Sequence, residues 1–411
     1  MKKLLLITII SIFGSFCFAI ESKAKDFCVS TAADLQAAIS ETTTNDEDDT
    51  INIIQGVYNI IPGSFGYYSE GDKAITIQGG FTADCAFWED DPSKTLLDAG
   101  GSGTALEITQ AGGGSVQIGG LTLQNGGRHG LYVRLRNITG GNVGNIFINK
   151  NIIRDTKGSV GIYISHEGDS TTGNTSSIFL SNNIIAGNRG DYGAGGLAMR
   201  IDYVNWTALV NNIIVGNVGD SAGGVDIIES IGRPIYLTNN TITDNQAVGT
   251  LTPVGGITIS NNFADGTISF YNNIIRGNST ETGVTDIRLW DFWGTRIGYN
   301  NNYSEMFGTW TDSNANVNVS SLFVERGYWS DNGTPDDDSD DFWVDGNYHL
   351  TSASPCIDAG NNSAPFLPSE DYEGDPREFD GNDDGTTIVD MGADEYIRPI
   401  NGLPWLMLLL D

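Results

Sequence analysis

Carboxylates dominate the chemistry-bearing side chains of this 411-residue chain, with 52 aspartates and glutamates against 21 lysines and arginines. Two carboxylates flanking a sugar linkage can serve as general acid and base. Asp191, Asp220, Asp226 and Glu229 come from neighbouring repeat units and are the catalytic candidates, with Asp202, Arg200 and Tyr203 close in sequence. Trp206 is a candidate sugar-stacking platform beside them. The plainer reading is chance: a chain this acidic places carboxylates on every face. Three histidines are scattered, His129 in "GRHG", His166 in a polar loop and His349 near the C-terminus, and their spacing makes no metal set.

"DGNDDG" is the sharpest local signal. Asp380, Asn382 and Asp384 put oxygen ligands at positions 1, 3 and 5 of a calcium loop, with Gly385 at position 6 for the turn. Position 12 is Met391 rather than a bidentate glutamate, so Asp390 or Asp394 would have to complete the shell. The alternative is an ordinary Asn/Asp/Gly turn. "DDDSDD" at 336–341 reads as a solvated acidic loop. Late aromatics, including Trp290, Trp293, Trp310, Trp329 and Trp343, can stack sugars, Trp290 and Trp293 being the carbohydrate-binding candidates. Equally, they can fill wide final coils.

These residues need a scaffold, and the chain announces one. "SNNIIAGN" from Ser181 recurs as "NKNIIRDT" from Asn149, "VNNIIVGN" from Val210, "TNNTITDN" from Thr238, "YNNIIRGN" from Tyr271 and a degenerate "YNNNYSE" from Tyr299. Taken on Asn151, Asn183, Asn212, Asn240, Asn273 and Asn302, the intervals are 32, 29, 28, 33 and 29 residues. Between them runs a second phrase, a glycine and then alternating apolar residues, as in "GLYVRL" from Gly130 and "GGVDII" from Gly223. The alternation and the β-branched residues exclude helix. Units of about 30 residues that cannot bury an apolar face alone must stack. The spacing predicts an all-β, right-handed parallel β-helix (a solenoid) of about eight coils. In it the "NNII" isoleucines form an internal column and the asparagines turn a corner and bond their equivalents in the next coil. "TAADLQAAISE" predicts a short capping helix, with Thr31 as N-cap and Leu35, Ala38 and Ile39 on its apolar face.

The first residues, "MKKLLLITIISIFGSFCFAIESKA", read as a secretory signal peptide cleaved after Ala19 or Ala24, too short to span a bilayer. Export, secreted or to the cell surface, is therefore expected. Formal charge is −31, and −33 once Lys2 and Lys3 are removed. Such a surface repels phosphate backbones and anionic lipid, which excludes nucleic acid as a partner and tolerates divalent cations and glycans. Cys28, Cys85 and Cys356 remain after cleavage, an odd number that permits one intramolecular disulfide at most. The organisation expected is signal peptide 1–24, N-terminal cap and first coils 25–100, β-helix repeats 101–330, an acidic C-terminal segment 331–397 closing the far end, and an apolar tail 398–411 too short to cross a membrane.

The opening "CVSTAADLQAAI", "DDTINIIQGVYNI", "ITIQGGFTADC", "TLLDAG" and "IGGLTLQNG" resembles that of secreted bacterial β-helix proteins with a pectate-lyase-like (pectin lyase) fold. The closing "LTSASPCIDAGN" and "DYEGDPREFDGNDDGTTIVDMGADEY" resembles the C-terminal region of the choice-of-anchor Q group. The resemblance implies that Cys28 and Cys85 lie together in the cap as a disulfide, and it implies fold and location, not a reaction. Cys356 departs from the small residue usual in that motif, and the tail lacks a sorting anchor. The lyase strings Trp-Ile-Asp-His and Arg-x-x-Pro-x-x-Arg are absent, Arg233-Pro234 being the nearest approach, and "GRHG" at 127–130 misses the Gly-His-Gly of polygalacturonases. The expected function is thus non-catalytic binding of extracellular polysaccharide or cell-envelope components, or a structural role. The alternative is a polysaccharide lyase or glycoside hydrolase acting through flank carboxylates, so whether the chain is an enzyme stays open, with calcium as the one cofactor to consider.

Overall fold

A computed structural model of the chain describes residues 24–398 except 61–62, 139–140, 169–174, 192, 251, 262–265, 291–293 and 338. The signal sequence, the apolar tail beyond Arg398 and Trp293 therefore lie outside the described residues. Three long parallel sheets carry the fold. The first holds eleven strands, from Lys25–Val29 to Asp312–Asn314, and the second nine, from Gly56–Asn59 to Asn302–Tyr303. The third also holds nine, from Phe65–Ser69 to Met306–Phe307. From Ile146 on, each strand pairs with its equivalent one repeat later, as Ile178↔Thr207 and Leu197↔Val225 do, so the chain visits each sheet once per period. That is a parallel β-helix, and its nine-stranded sheets hold one coil more than the repeat count suggested. A strip of two-residue strands, Lys157–Gly158 to Gly283–Val284, fills the turn between the second and third sheets.

The core is the predicted stack. Ile153, Ile185, Ile214, Ile242 and Ile275 pair in register down the second sheet and are fully buried. Each such side chain contributes about 1.5–3 kcal/mol by leaving water. The corner between the first and second sheets is turned by Asn182, Asn211, Asn239, Asn272 and Asn300, all left-handed with φ between 53° and 58°. Asparagine tolerates this region better than other side chains with a Cβ. The next residue points inward and builds a ladder, Asn151 to Asn183, Asn212, Asn240, Asn273, Asn301 and Asn316, each Nδ2 donating to the following Oδ1 at 2.9–3.1 Å. The final rung from the repeats is thus Asn301, not Asn302, because "YNNNY" carries one asparagine too many to fix its own register. A second ladder, at the other edge of the second sheet, runs Asn188, Asn217, Asn245, Asn278 and ends on Asp286.

The helix Ala32–Thr42 lies against the first coils with Leu35, Ala38 and Ile39 buried, and the Thr31 Oγ1 accepts the Asp34 N–H at 3.1 Å. Cys28 and Cys85 form the disulfide. At the other end Tyr303, Met306 and Trp310 pack onto the core. The acidic segment does something different from closing that end: it folds back along the solenoid. Arg154 meets Asp345, Asn211 binds Arg377 and Glu370, Asn239 binds Asp390, and Asn300 binds Ala359. Trp343 lies over Gly187 and Gly216, where an added Cβ would stand 2.5 Å from the Trp343 Cβ and 2.4 Å from its indole, so only glycine admits it there. The "SPCIDAG" and "DMGADEY" stretches clasp each other, the Met391 N–H donating to the Cys356 carbonyl at 3.0 Å and the Gly360 N–H to the Val389 carbonyl at 2.8 Å.

Candidate functional site

Because the acidic segment lies on the second sheet and its corners, the third sheet is left as an open face. Among the described residues, none of the segment's hydrogen bonds reaches that sheet. Strand periodicity puts alternate residues outward, and parallel register aligns them in columns. One column reads Glu107, Tyr132, Tyr163, Ala198, Asp226, Thr258, Arg288 and Phe307. Beside it run Tyr68, Thr109, Arg134, Ser165, Arg200, Ile228, Ser260 and Trp290. Arg136, Glu167 and Asp202 form a shorter third column. From the Tyr68 strand to the Trp290 strand is seven inter-strand steps, about 34 Å.

The side chains on this face are held in place by one another. Tyr132 and Tyr163 stack with ring centroids 5.4 Å apart and planes 6° from parallel. The His129 ring leans on both, at 5.5 and 5.7 Å. Burial pushes the His129 imidazole down to about 4, so it is neutral at pH 7. Arg134 grips Glu167 with two bonds of 2.7 and 3.0 Å, and the Ser165 hydroxyl donates to the same carboxylate. That arginine holds Glu167 below the usual carboxylate range. The Arg200 Nη2 donates to Asp226 Oδ2 at 2.8 Å. Arg288 lies over Trp290 and Phe307, at 5.3 and 4.8 Å from their ring centroids. Trp290 and Phe307 are 43% and 51% exposed, which leaves much of both rings to solvent. Across the three columns Arg134, Arg136, Arg200 and Arg288 offset Glu107, Glu167, Asp202 and Asp226, making the face locally neutral on a chain of charge −31.

The four catalytic candidates do not share one face. Asp226 lies on the open sheet and is paired with Arg200. Glu229, in the same strand, is fully buried, and its carboxylate caps the turn that follows by accepting the Ile231 and Gly232 N–H groups. Burial pushes it up. Asp191 and Asp220 lie instead on the strip of short strands, lining an open groove of about 550 Å³ with Arg189, Glu281 and Ser339. Trp206 belongs to the first sheet, where its ring lies 4.9 Å from Phe366 and 6.3 Å from Phe179. Of the aromatic candidates among the described residues, Trp290 alone is placed on the open face.

The "DGNDDG" loop is built as a turn. Asp380 accepts the Asp384 and Gly385 N–H groups, and Asn382 also accepts from Asp384. Asp390 is buried and spends both oxygens on the Asp358 and Tyr396 N–H groups at 2.7 Å. Asp380, Asp384 and Asp390 do not bring one carboxylate oxygen each within 4.8 Å of the others. The clasp holds a second buried charge: Arg377, fully enclosed, donates to Asn211 Oδ1, to the carbonyls of Gly392, Ala393 and Asp394, and to Glu395. Cys356 is a buried free thiol that accepts from Asn302 Nδ2 at 3.3 Å. Sequence spacing hid one further cluster. His349, Glu373 and Asp394 converge from three separate stretches, one ligand atom of each lying within 4.8 Å of the others.

No protein-family model matches the chain, and no curated relative does. Among solved structures it is similar to a pectate lyase, Pel9A, at 12% identity and a TM-score of 0.45, over 92% of this chain and 98% of that one. It is also similar to an alginate lyase from Paenibacillus sp. str. FPU-7 at 14% identity and a TM-score of 0.36, over 72% of this chain and 99% of that one. The parallel β-helix itself is established by the strand pairing. No helix among the described residues is long and apolar enough to cross a membrane.

Proposed function

We propose that the protein is an exported, non-catalytic glycan-binding β-helix of the choice-of-anchor Q kind, with the open third sheet as its binding face. The observation that carries this reading is the pairing of aromatic surface with charge neutrality on one uncovered face. Stacked Tyr132 and Tyr163 and exposed Trp290 offer aromatic surface to sugar C–H groups, and the arginine–carboxylate pairs offer hydrogen bonds to hydroxyls. Elsewhere the net negative charge disfavours acidic polysaccharides; here four arginines remove that barrier. The disulfide belongs with an oxidising compartment, in line with export. The "SPCIDAG" and "DMGADEY" clasp supports the family reading, because it gives those motif residues a shared structural task.

The test is a panel of neutral and uronate polysaccharides, read both for binding by affinity electrophoresis and for release of reducing ends or unsaturated products, with calcium and with chelator. Retention by one glycan class without cleavage supports the proposal. Cleavage would replace it with the lyase or hydrolase reading, with the Arg200–Asp226 pair as the first residues to mutate. Retention by no glycan would sink it.

A further inference from the structure

We infer a divalent transition-metal site on the opposite flank, formed by His349 Nε2 and the carboxylates of Glu373 and Asp394 where the acidic segment crosses the second sheet. The three ligand atoms lie within 4.8 Å of one another. His349 comes from the strand Asn347–Leu350, Glu373 from the loop after Tyr372, and Asp394 from the "GADEY" stretch, so the clasp itself assembles the set.

The orientation of the imidazole carries the inference. Its Nδ1 faces Asn347 Oδ1 at 2.5 Å, an acceptor, so Nδ1 bears the hydrogen. Nε2 then faces Glu373 Oε2 at 2.5 Å, with Asp394 Oδ1 at 3.9 Å. The Tyr372 hydroxyl stands 3.5 Å from the same nitrogen, and a second ring proton pairs the imidazole with Glu373, so a divalent cation binds here by taking that proton's place as the ligands spread around it. A side-chain acceptor fixing the far nitrogen is the usual support for a metal-binding histidine.

Asp394 is an independent observation. Its side chain is only 6% exposed, and its Oδ2 is committed to the Leu350 N–H at 2.7 Å. The other oxygen, Oδ1, points into the cluster and is too far from His349 for a hydrogen bond. With no hydrogen-bond donor of its own, that oxygen is available to a bound cation. The site also has room for exchange: His349 and Tyr372 line a cavity of about 310 Å³, and Glu373 with Tyr372 lines a neighbouring one of about 290 Å³.

One nitrogen and two carboxylate oxygens suit Zn²⁺, Co²⁺ or Mn²⁺, whereas Ca²⁺ and Mg²⁺ prefer oxygen alone. An all-oxygen competitor lies next door, because Asp371, Glu373 and Asp375 also come within 4.8 Å of one another. The two sets share Glu373 and differ in the histidine, which is what the experiment exploits.

The mature, metal-stripped protein is titrated with ZnCl₂, CoCl₂ and CaCl₂ by calorimetry, with Co²⁺ followed also by its visible absorption. The expected result is one equivalent of Zn²⁺ or Co²⁺ bound, with a Co²⁺ spectrum of nitrogen–oxygen ligation. Asn347→Ala should weaken it by about 10- to 100-fold through loss of ring support, and His349→Ala by more. His349 is a half-exposed residue, so its replacement leaves the fold standing, which circular dichroism checks. Zn²⁺ binding unchanged in His349→Ala overturns the inference. So does no Zn²⁺ uptake by the parent protein, or Ca²⁺ uptake that survives His349→Ala without any for Zn²⁺, which assigns the ion to the Asp371–Glu373–Asp375 set. Glycan binding on the third sheet is independent of every one of these outcomes.

Discussion

Replacing Asn212 by alanine removes one rung from the middle of the corner ladder, and the cost can be worked from its bonds. Asn212 Nδ2 donates to Asn240 Oδ1 and to the Leu180 carbonyl, each at 3.0 Å. Its Oδ1 accepts the Asn183 backbone N–H at 3.1 Å and the Asn183 Nδ2 at 3.0 Å. Alanine leaves the Asn183 N–H and one Asn183 amide hydrogen buried without partners, while the Leu180 carbonyl keeps its place in the ladder to the next coil. Asn240 Oδ1 keeps the Asn212 N–H, so it is not orphaned. An unsatisfied buried polar group costs about 1–3 kcal/mol, partly relieved by relaxation, so the two together destabilise by roughly 2–4 kcal/mol. That is a large part of a typical domain's stability. Urea unfolding followed by circular dichroism gives the total. Hydrogen exchange at the Asn183 amide gives the local effect, which matters because solenoids can open in part. Thr258→Ala on the open face is the control and should change stability by no more than about 0.5 kcal/mol. A loss below about 1 kcal/mol for Asn212→Ala, with Asn183 exchange unchanged, would refute the claim that the ladder holds the corner.

Other outcomes follow from the same structure. His129 is held at about 4 when folded against 6.5 when free, so the unfolded chain binds the extra proton between those values. Stability should therefore fall by about 3 kcal/mol as pH drops from 6.5 toward 4, and His129→Gln should flatten that slope in pH-dependent unfolding. Reducing the Cys28–Cys85 bridge, which spans 57 residues, should cost about 4 kcal/mol by the chain-entropy relation, read as a lower unfolding midpoint with dithiothreitol. Gly216→Ala drives a Cβ into Trp343, so it should loosen the acidic segment and speed its cleavage in limited proteolysis, while the coils keep their β-sheet spectrum.

Periodicity made the coils legible. A repeat near 30 residues, alternating apolar positions and paired asparagines specify the stack, the column and the corner with no knowledge of contacts. The helix was equally plain, because a cap and an apolar face are local features. The path of the acidic segment was not, since nothing in "DYEGDPREFDG" encodes its long-range partners. Arg377 reads as one more surface charge until Asn211, 166 residues earlier, is seen to accept from it. The candidate carboxylates failed to converge for a related reason. Sequence distance placed Asp191, Asp220, Asp226 and Glu229 on neighbouring coils, but which side of the coil each occupies depends on local turns, and they separate onto the strip, the open sheet and the interior. The register of "YNNNY" was ambiguous for the same lack of local information, and only pairing of Tyr271 with Tyr299 resolves it.

The central claim is that the third sheet binds glycan through its stacked tyrosines and exposed tryptophan. The most direct measurement compares the affinity of the retained polysaccharide for the parent protein, for Tyr132→Ala/Tyr163→Ala and Trp290→Ala, and for Phe147→Ala on the first sheet. Loss of a well-placed aromatic anchor costs about 1 kcal/mol or more, so third-sheet variants should bind at least about fivefold more weakly while Phe147→Ala binds as the parent does. Equal affinity across all of them, with every variant folded, would contradict the account.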